Sequence, residues 1–531
     1  MSAAASGAVS AAASGAVSAA ASGAAAGAWS QPRWRLPALV REALRLERAD
    51  LPDVAVRGVA QALDLVRPGY VFVARVGQVV DGHEFAARAV AAGAVCVVGA
   101  RRDMDPPPWR GAPYVRVGDD RWATSALAAT FFGHPSRALR TLGVTGTDGK
   151  TTTATLLHHL LQGPTPVATA ALVSSAAARV GRRLVRYPGH FTTPEAPQVH
   201  ALLARAARAG ARYAVVESSS HGFALRRLEH VHYDVAAWTG FSPEHLDFHG
   251  TLEAYREAKR TLLRRASVSV LNRDDPTWLG FAEVAQRVLT VGEHEAADVR
   301  AEDVHEQPAG LRFTLLADGE RHACALRMPG RFNLGNALVA LSAAHVASGL
   351  GWELLVARLA RFRGVPGRMQ VVAQRPTTVI VDFAHTAPAL TKALAAVRPG
   401  PGGRRIVLIG AAGERDPGKR EPLGRAAMAG ADLAVFTEED HRSEALDAIL
   451  ATMARGAVAA GGREGERFWR VPDRREAIAF ALELARPSDV VLLCGKGHER
   501  TLERGSEALP WDEAAEARAA LRELGRGAPG A

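Results

Sequence analysis

The chain has 531 residues, 48% hydrophobic and 23% charged, which are the values of a globular protein too long for one core and divided into roughly three or four units. Its formal net charge of +10 does not make it a nucleic-acid binder, because the arginines are scattered and no basic run alternates with aromatics; small polyanionic substrates account for the charge as well. Cys96, Cys324 and Cys494 lack CxxC spacing, and no run of about eighteen strongly apolar residues or ordinary signal peptide occurs, so a disulfide framework, a zinc site and a membrane span are excluded in favour of a cytoplasmic enzyme.

Residues 1–33 form a low-complexity tail, in which SAAASGAV recurs without a charge or an amphipathic face, and they are expected to be disordered and dispensable. Residues 34–138 read as a small α/β domain. Gly69–Ala74 and Val95–Val98 are its predicted strands, Glu84–Ala92 a helix, and the Pro/Arg-rich stretch Arg101–Arg110 a loop.

Residues 139–366 open on Gly143-Val-Thr-Gly-Thr-Asp-Gly-Lys-Thr-Thr-Thr153, a strand end, a glycine-rich turn and a helix start. Gly146, Thr147, Asp148 and Gly149 turn backbone N–H groups toward an anion, the helix dipole adds to them, Lys150 supplies a full charge, and Thr151 and Thr152 follow at the helix start. Thr151 is placed to hold a magnesium ion. The spacing departs from GxxxxGK[ST], since Val144 stands where the first glycine belongs, but the apolar run before it and the helical pattern after it make this an ATP site. Tyr213–Glu217 and Val235–Thr239 are further apolar runs alternating with helices, which predicts a buried parallel sheet with Lys150, Glu217 and the segment around His245 at its carboxyl edge. In residues 367–531 the runs Thr377–Asp382, Arg405–Gly410, Leu433–Thr437 and Val490–Gly495 predict a second doubly wound, Rossmann-like sheet. The fold class is therefore α/β in three domains, the central one a P-loop ATPase.

The ordered segments TGTDGKTT, ESSSHGFALRRLE, HLDFHGTLEAYREAKRTLL, GRFNLGNALVAL, VPGR, VDFAHT and GKGHE carry a resemblance that spans nearly the whole chain beyond the tail. The sequence resembles the Mur ligases, most closely the MurE type, in which ATP phosphorylates a carboxylate and an amine then displaces the phosphate to form an amide. The resemblance implies ATP and two magnesium ions as cofactors, with Lys150, Glu217, His245 and Lys259 as the catalytic residues and Thr151, Glu217, His245 and Lys259 as the metal-organising ones. It implies carbamylation of Lys259, which would turn a cation into an anionic oxygen ligand. It assigns Asn333, Asn336, Arg368, Asp382 and His385 to the nucleotide, with Asn capping of a helix as the plain structural alternative for the first two.

For the substrates, the resemblance implies a monomeric enzyme acting on a UDP-N-acetylmuramoyl dipeptide and a diamino acid, without nucleic acid or membrane. Thr192, Thr193 and Ser219 match positions that contact the UDP substrate, although Phe191 replaces a usual Asn. In the first domain Ala62-Leu63-Asp64 stands where the family has Asp-Ser-Arg, which removes a hydroxyl and an arginine from uridine recognition. Arg415, Asp440, Arg442, Gly495 and Glu499 match the amino-acid site, where Glu439-Asp440-His441-Arg442 replaces the Asp-Asn-Pro-Arg of the diaminopimelate-adding members. A carboxylate at Asp440 favours a side-chain ammonium, hence lysine or ornithine, with diaminopimelate still open. Two other readings remain at this point: a folylpolyglutamate or cyanophycin-type ligase of the same superfamily, and a non-catalytic nucleotide-binding scaffold.

Overall fold

The computed structural model describes residues 33–77, 80–185, 193–307 and 309–526. The expectation of a disordered tail therefore lies outside the described residues save for Arg33, as does the assignment of Thr192. The chain divides into two compact units, one running to Arg300 and taking in Leu338–Leu355, the other made of Ala301–Ala337 and Val356–Ala531. No helix among the described residues is long and apolar enough to cross a membrane.

The first unit holds two sheets. The smaller one orders Gly58–Ala60, Tyr70–Ala74, Cys96–Gly99 and Tyr114–Arg116 side by side, all parallel. Their apolar residues are buried on both faces, as a parallel sheet covered by helices requires. The predicted helix over 84–92 is split: a 3-10 turn occupies Gly82–Phe85, where Asp81 accepts from the His83 N–H at 2.9 Å, and the α-helix is confined to Ala86–Ala91. Helix Asp120–Phe131 packs behind the sheet, started by Asp119, whose carboxylate takes the Trp122 N–H at 2.9 Å.

In the larger sheet the parallel strands run in the order Ala170–Val173, Tyr213–Glu217, Arg140–Thr145, Tyr233–Trp238, Ala266–Asn272 and Val288–Gly292, with the antiparallel pair Ala178–Val180 and Arg183–Val185 at one edge. From Arg140–Thr145 the chain first builds strands on one side and then crosses to the other. The carboxyl end of Arg140–Thr145 is thus a topological switch point, where helix connections diverge and leave a crevice. Helix Lys150–Gln162 starts there, buries Leu156, Leu157, Leu160 and Leu161, and stops at Gly163, which has φ 60°.

The second unit contains the antiparallel hairpin of Gly310–Ala317 and Glu320–Leu326, which the sequence reading did not anticipate. Its main sheet orders Gln370–Ala373, Thr378–Asp382, Val490–Cys494, Arg405–Ile409, Leu433–Phe436 and Phe468–Arg470, parallel except for the first pair. Helices Ala387–Ala396, Arg420–Gly430 and Leu446–Ala459 fill one face, Arg474–Leu484 and Glu513–Glu523 the other. Arg420–Gly430 and Leu446–Ala459 touch backbone to backbone: a Cβ on Gly424 would lie 1.9 Å from the Met453 carbonyl oxygen. Arg474 is fully buried and donates to Glu513 at 2.6 Å, to the Glu438 carbonyl at 2.9 Å and to the Cys494 carbonyl at 2.6 Å. One guanidinium thereby ties two strand ends to the last helix.

Candidate functional site

The phosphate loop is shaped by sterics before chemistry. Gly146 has φ 145° and would place a Cβ 2.0 Å from the Thr239 hydroxyl, so no other residue fits between the two strand ends. Gly149 adopts φ 80° at the N-cap of helix Lys150–Gln162, and no side chain caps that helix end. The loop is pinned from the neighbouring strand: the Thr147 N–H donates to the Gly240 carbonyl at 2.9 Å, and the Thr239 hydroxyl to the Asp148 carbonyl at 2.5 Å. Gly146→Ala is expected to cost about 1–3 kcal/mol of stability, read by urea denaturation, because the strained φ and the clash act together. An unchanged denaturation midpoint would show that the loop is not braced against Thr239.

Two lysines meet on this loop. The Lys150 ammonium donates to the carbonyls of Gly146 at 3.1 Å and Thr147 at 2.6 Å, and the Lys259 amine donates to the same Gly146 carbonyl at 2.5 Å. Lys259 projects from helix Leu252–Arg265, is 1% exposed and lies 4.5 Å from the centre of the Tyr255 ring. Burial, followed by the positive charge of Lys150, drives its pKa well below the ordinary lysine value. Burial and the neighbouring Lys150 both disfavour the cationic form, and a neutral amine is a nucleophile toward carbon dioxide, so the site fits carbamylation.

Beside the lysines, Glu217 is the last residue of its strand and 1% exposed. Its carboxylate accepts from the Thr151 hydroxyl at 2.8 Å, the Ser175 N–H at 3.0 Å and the Ser175 hydroxyl at 3.2 Å. Ser175 belongs to no recognised motif and was not anticipated; its signal is its place just beyond the buried strand Ala170–Val173. Among the described residues no three His, Cys, Asp or Glu side chains form a ready metal cage. Glu217 and the Thr151 hydroxyl nevertheless offer the hard oxygens that magnesium takes when phosphate and water complete its shell.

His245 stands apart from Glu217's hydrogen bonds. It has φ 55°, precedes the short helix Leu246–His249, and its ring centre lies 4.8 Å from that of His221 and 6.0 Å from that of Tyr255. His221 is pushed down to about 4 by burial and by the neighbouring His245 and His249. Thr193 donates its hydroxyl to the Glu217 carbonyl at 3.0 Å and pairs with the Ser219 hydroxyl at 2.9 Å, which places these two expected substrate contacts against the strand end that carries Glu217.

In the second unit the three late motifs converge. A Cβ on Gly367 would lie 2.1 Å from the Gly497 carbonyl carbon, the Arg368 guanidinium sits 4.6 Å from the centre of the Phe383 ring, and that ring lies 4.9 Å from His498. Asp382 ends its strand, half-buried, and accepts from the N–H groups of Met369 at 2.8 Å and Ala384 at 2.9 Å; desolvation outweighs these bonds and raises its pKa. His385 donates through Nδ1 to the Phe383 carbonyl at 2.9 Å. Asn333 lies inside helix Phe332–Ser348 rather than capping it, donating to the Pro329 carbonyl at 2.7 Å and accepting from Asn336 at 3.1 Å.

The amino-acid residues require a correction. Asp440 does not present an unbalanced charge, because the Lys496 ammonium donates to it at 2.7 Å and the Glu503 N–H at 2.9 Å. Lys496, fully buried, also pairs with Glu499 at 2.6 Å, and burial still raises the Glu499 pKa. Arg442 donates to Glu503 at 2.8 Å and to the Gly413 carbonyl at 2.7 Å, while Arg415 is exposed. Beside them Glu439 has an Oε2 that is buried without a hydrogen-bond partner and lies 2.8 Å from where a Cβ on Gly495 would stand. Sequence comparison passed over Glu439 because its neighbour carried the more conspicuous change.

Residues 144–344 match the Mur ligase middle domain and residues 367–497 the Mur ligase, glutamate ligase domain. A UDP-N-acetylmuramyl-tripeptide synthetase of Deinococcus radiodurans is 47% identical over 481 residues, covering 89% of this chain and 96% of the relative. A UDP-N-acetylmuramoyl-L-alanyl-D-glutamate--2,6-diaminopimelate ligase of Geobacillus kaustophilus is 38% identical over 471 residues, 87% of this chain and 94% of the relative. A solved structure of a ligase of the latter name superposes with a TM-score of 0.65 at 29% identity, covering 93% of this chain and all of that one. With the two family models matching residues 144–344 and 367–497 and relatives of this identity and coverage, the chain belongs to the Mur ligase family.

Proposed function

We propose that this Mur ligase is an ATP-dependent amide ligase of peptidoglycan precursor synthesis, adding a diamino acid to UDP-N-acetylmuramoyl-L-alanyl-D-glutamate and releasing ADP and phosphate. The observation that carries the reading is the convergence of Lys150 and Lys259 on the Gly146 carbonyl, with Thr151 and Glu217 beside them at the switch point of a parallel sheet. Such a site concentrates positive potential where a triphosphate must be held and its terminal phosphoryl group released.

The substrate carboxylate attacks the terminal phosphorus, the bond to the ADP oxygen breaks, and an acyl phosphate forms. The neutral α-amine then attacks the acyl carbon, inorganic phosphate leaves with the bonding electrons, and the amine loses its proton. Lys150 and the uncapped amides of Gly149 onward hold the phosphates; Thr193 and Ser219 orient the peptide substrate against the strand end of Glu217. Glu217, Thr151, His245 and a carbamylated Lys259 would hold magnesium, which supplies charge neutralisation at the transferring phosphoryl group. Asn333, Asn336, Arg368, Asp382 and His385 hold the nucleotide. ATP dependence and three free, buried cysteines accord with a cytoplasmic enzyme.

For the amine, Glu439, whose buried Oε2 has no hydrogen-bond partner, takes over the role first given to Asp440. Its charge favours the side-chain ammonium of lysine or ornithine, while Arg415, Arg442, Gly495 and Glu499 frame the rest of the amino acid. Glu439→Gln is expected to raise KM for the preferred diamino acid by about 10- to 100-fold, the loss of one charge-assisted hydrogen bond. Phosphate release measured with lysine, ornithine and diaminopimelate tests both points: a strong preference for diaminopimelate defeats the assignment of the amine, and no release with any of them in the presence of the UDP-muramoyl dipeptide defeats the proposed function.

A further inference from the structure

The turn over residues 239–242, at the carboxyl end of strand Tyr233–Trp238, grips the phosphate loop at Thr147. Besides the bond from the Thr147 N–H to the Gly240 carbonyl, the Thr147 hydroxyl donates to the Ser242 carbonyl at 3.1 Å and accepts from the Ser242 N–H at 2.9 Å. On its other side this hydroxyl meets that of Tyr255 at 3.1 Å. Burial raises the pKa of the Tyr255 phenol, so it keeps its proton and donates here. Thr147 itself is 6% exposed, and its carbonyl is the nearer of the two that receive the Lys150 ammonium. The place of Thr147 therefore sets both the course of the loop and the seat of its lysine.

The turn is in turn fixed by Asp275. This residue follows strand Ala266–Asn272, which pairs with Tyr233–Trp238 on the side away from strand Arg140–Thr145. One carboxylate oxygen accepts from the Phe241 N–H at 2.8 Å; the other accepts from the Thr277 N–H at 2.9 Å and the Thr277 hydroxyl at 2.6 Å. With both oxygens engaged, the side chain is locked in one orientation. Gly240 makes room for it, since it has φ 150° and a Cβ there would stand 2.8 Å from the oxygen that holds Phe241. The Asn272 amide adds a bond to the Thr239 carbonyl at 3.1 Å. The Phe241 ring stacks on that of Tyr255 with centres 5.2 Å apart, and Tyr255 lies one turn before Lys259 on helix Leu252–Arg265. Asp275 and Tyr255 thus brace Thr147 from two elements, one through the turn and one directly.

We propose that Asp275 and Tyr255 are positioning residues for ATP, which hold the phosphate loop in its receiving form by acting through Thr147 rather than on the nucleotide. The proposal rests on the reading of this loop as the ATP site. A cradle of backbone N–H groups binds phosphate only while those groups converge, and a displacement of about 1 Å in such a site costs up to about 100-fold. The braces supply that convergence before the nucleotide arrives.

The test is calorimetric titration of ADP with magnesium onto the full chain, with steady-state KM for ATP, UDP-muramoyl dipeptide and the diamino acid, in wild type, Asp275→Ala, Asp275→Asn, Gly240→Ala and Tyr255→Phe. Expected for Asp275→Ala, and for Gly240→Ala, whose Cβ displaces the same carboxylate, is at least about a tenfold rise in the ADP Kd and the ATP KM, with the other two KM values within about twofold of wild type. Asp275→Asn keeps an acceptor oxygen for Phe241 and should recover most of the loss, while Tyr255→Phe should raise the ADP Kd by about three- to tenfold. Should neither alanine variant fold, the ADP Kd of Tyr255→Phe decides. Unchanged ADP Kd and ATP KM in the folded variants overturn the proposal, as does a rise shared equally by all three substrates, which is the mark of a merely structural role. A wild type that binds no ADP overturns the underlying reading of the loop instead.

Discussion

Lys150→Ala lowers kcat for substrate-dependent phosphate release by at least about two orders of magnitude, the usual cost of removing a group that stabilises charge migrating in the transition state. The expectation follows from what the ammonium touches. It rests on the carbonyls of Gly146 and Thr147, at the mouth of a helix whose first amides have no side-chain cap. A triphosphate placed against those amides offers Lys150 a far better partner than two neutral carbonyls. Thermal stability should change little, because the loop remains pinned by Thr239 and the Gly240 carbonyl. Near-normal turnover in a well-folded variant would contradict the phosphate-loop mechanism.

Lys259→Ala is expected to lose about two to three orders of magnitude in rate, and part of that loss should return when bicarbonate or a short carboxylate is added. The side chain is buried against Tyr255 and shares its acceptor with a second lysine, so the cationic form is the costly one. On the proposed carbamylation, the neutral nitrogen would attack carbon dioxide and lose a proton, giving a carbamate whose negative charge would relieve the repulsion with Lys150. Because the folded-state pKa is lowered, the neutral amine persists well below the ordinary lysine range, and acidification through the shifted pKa should release the carbon dioxide. Native mass measurement near neutral pH should show the protein heavier by one carbon dioxide, and the increment should vanish in acid. Full activity of the alanine variant would exclude a role for Lys259 of any kind.

Much of this site was legible in the sequence for a simple reason. Parallel strands buried on both faces are short continuous apolar runs, and the polar residue that ends each run lies at the sheet's carboxyl edge. Tyr213–Glu217 and the loop before Lys150 could therefore be placed from the chain alone, within a residue or two. The hairpin Gly310–Ala317 and Glu320–Leu326 was not, since its half-buried alternation is a weaker signal than a continuous apolar run. The pairing of Asp440 was not legible for a different cause. Its partner Lys496 is 56 residues further along, and no local pattern reports which distant charge a fold will bring alongside.

The guanidinium of Arg474 bears on how the molecule comes into being. The strand ends near Glu438 and Cys494 are tied to it, yet its only carboxylate partner with good geometry is Glu513, near the end of the chain. During synthesis, every strand of the second sheet is made before that partner exists. Until the last helix docks, this part of the protein must hold a buried cation without its counter-charge, a deficit of about 3–5 kcal/mol when such a pair is broken. The edge of the second sheet that carries Glu439 and Gly495 therefore settles only once the helix Glu513–Glu523 has been made and docked.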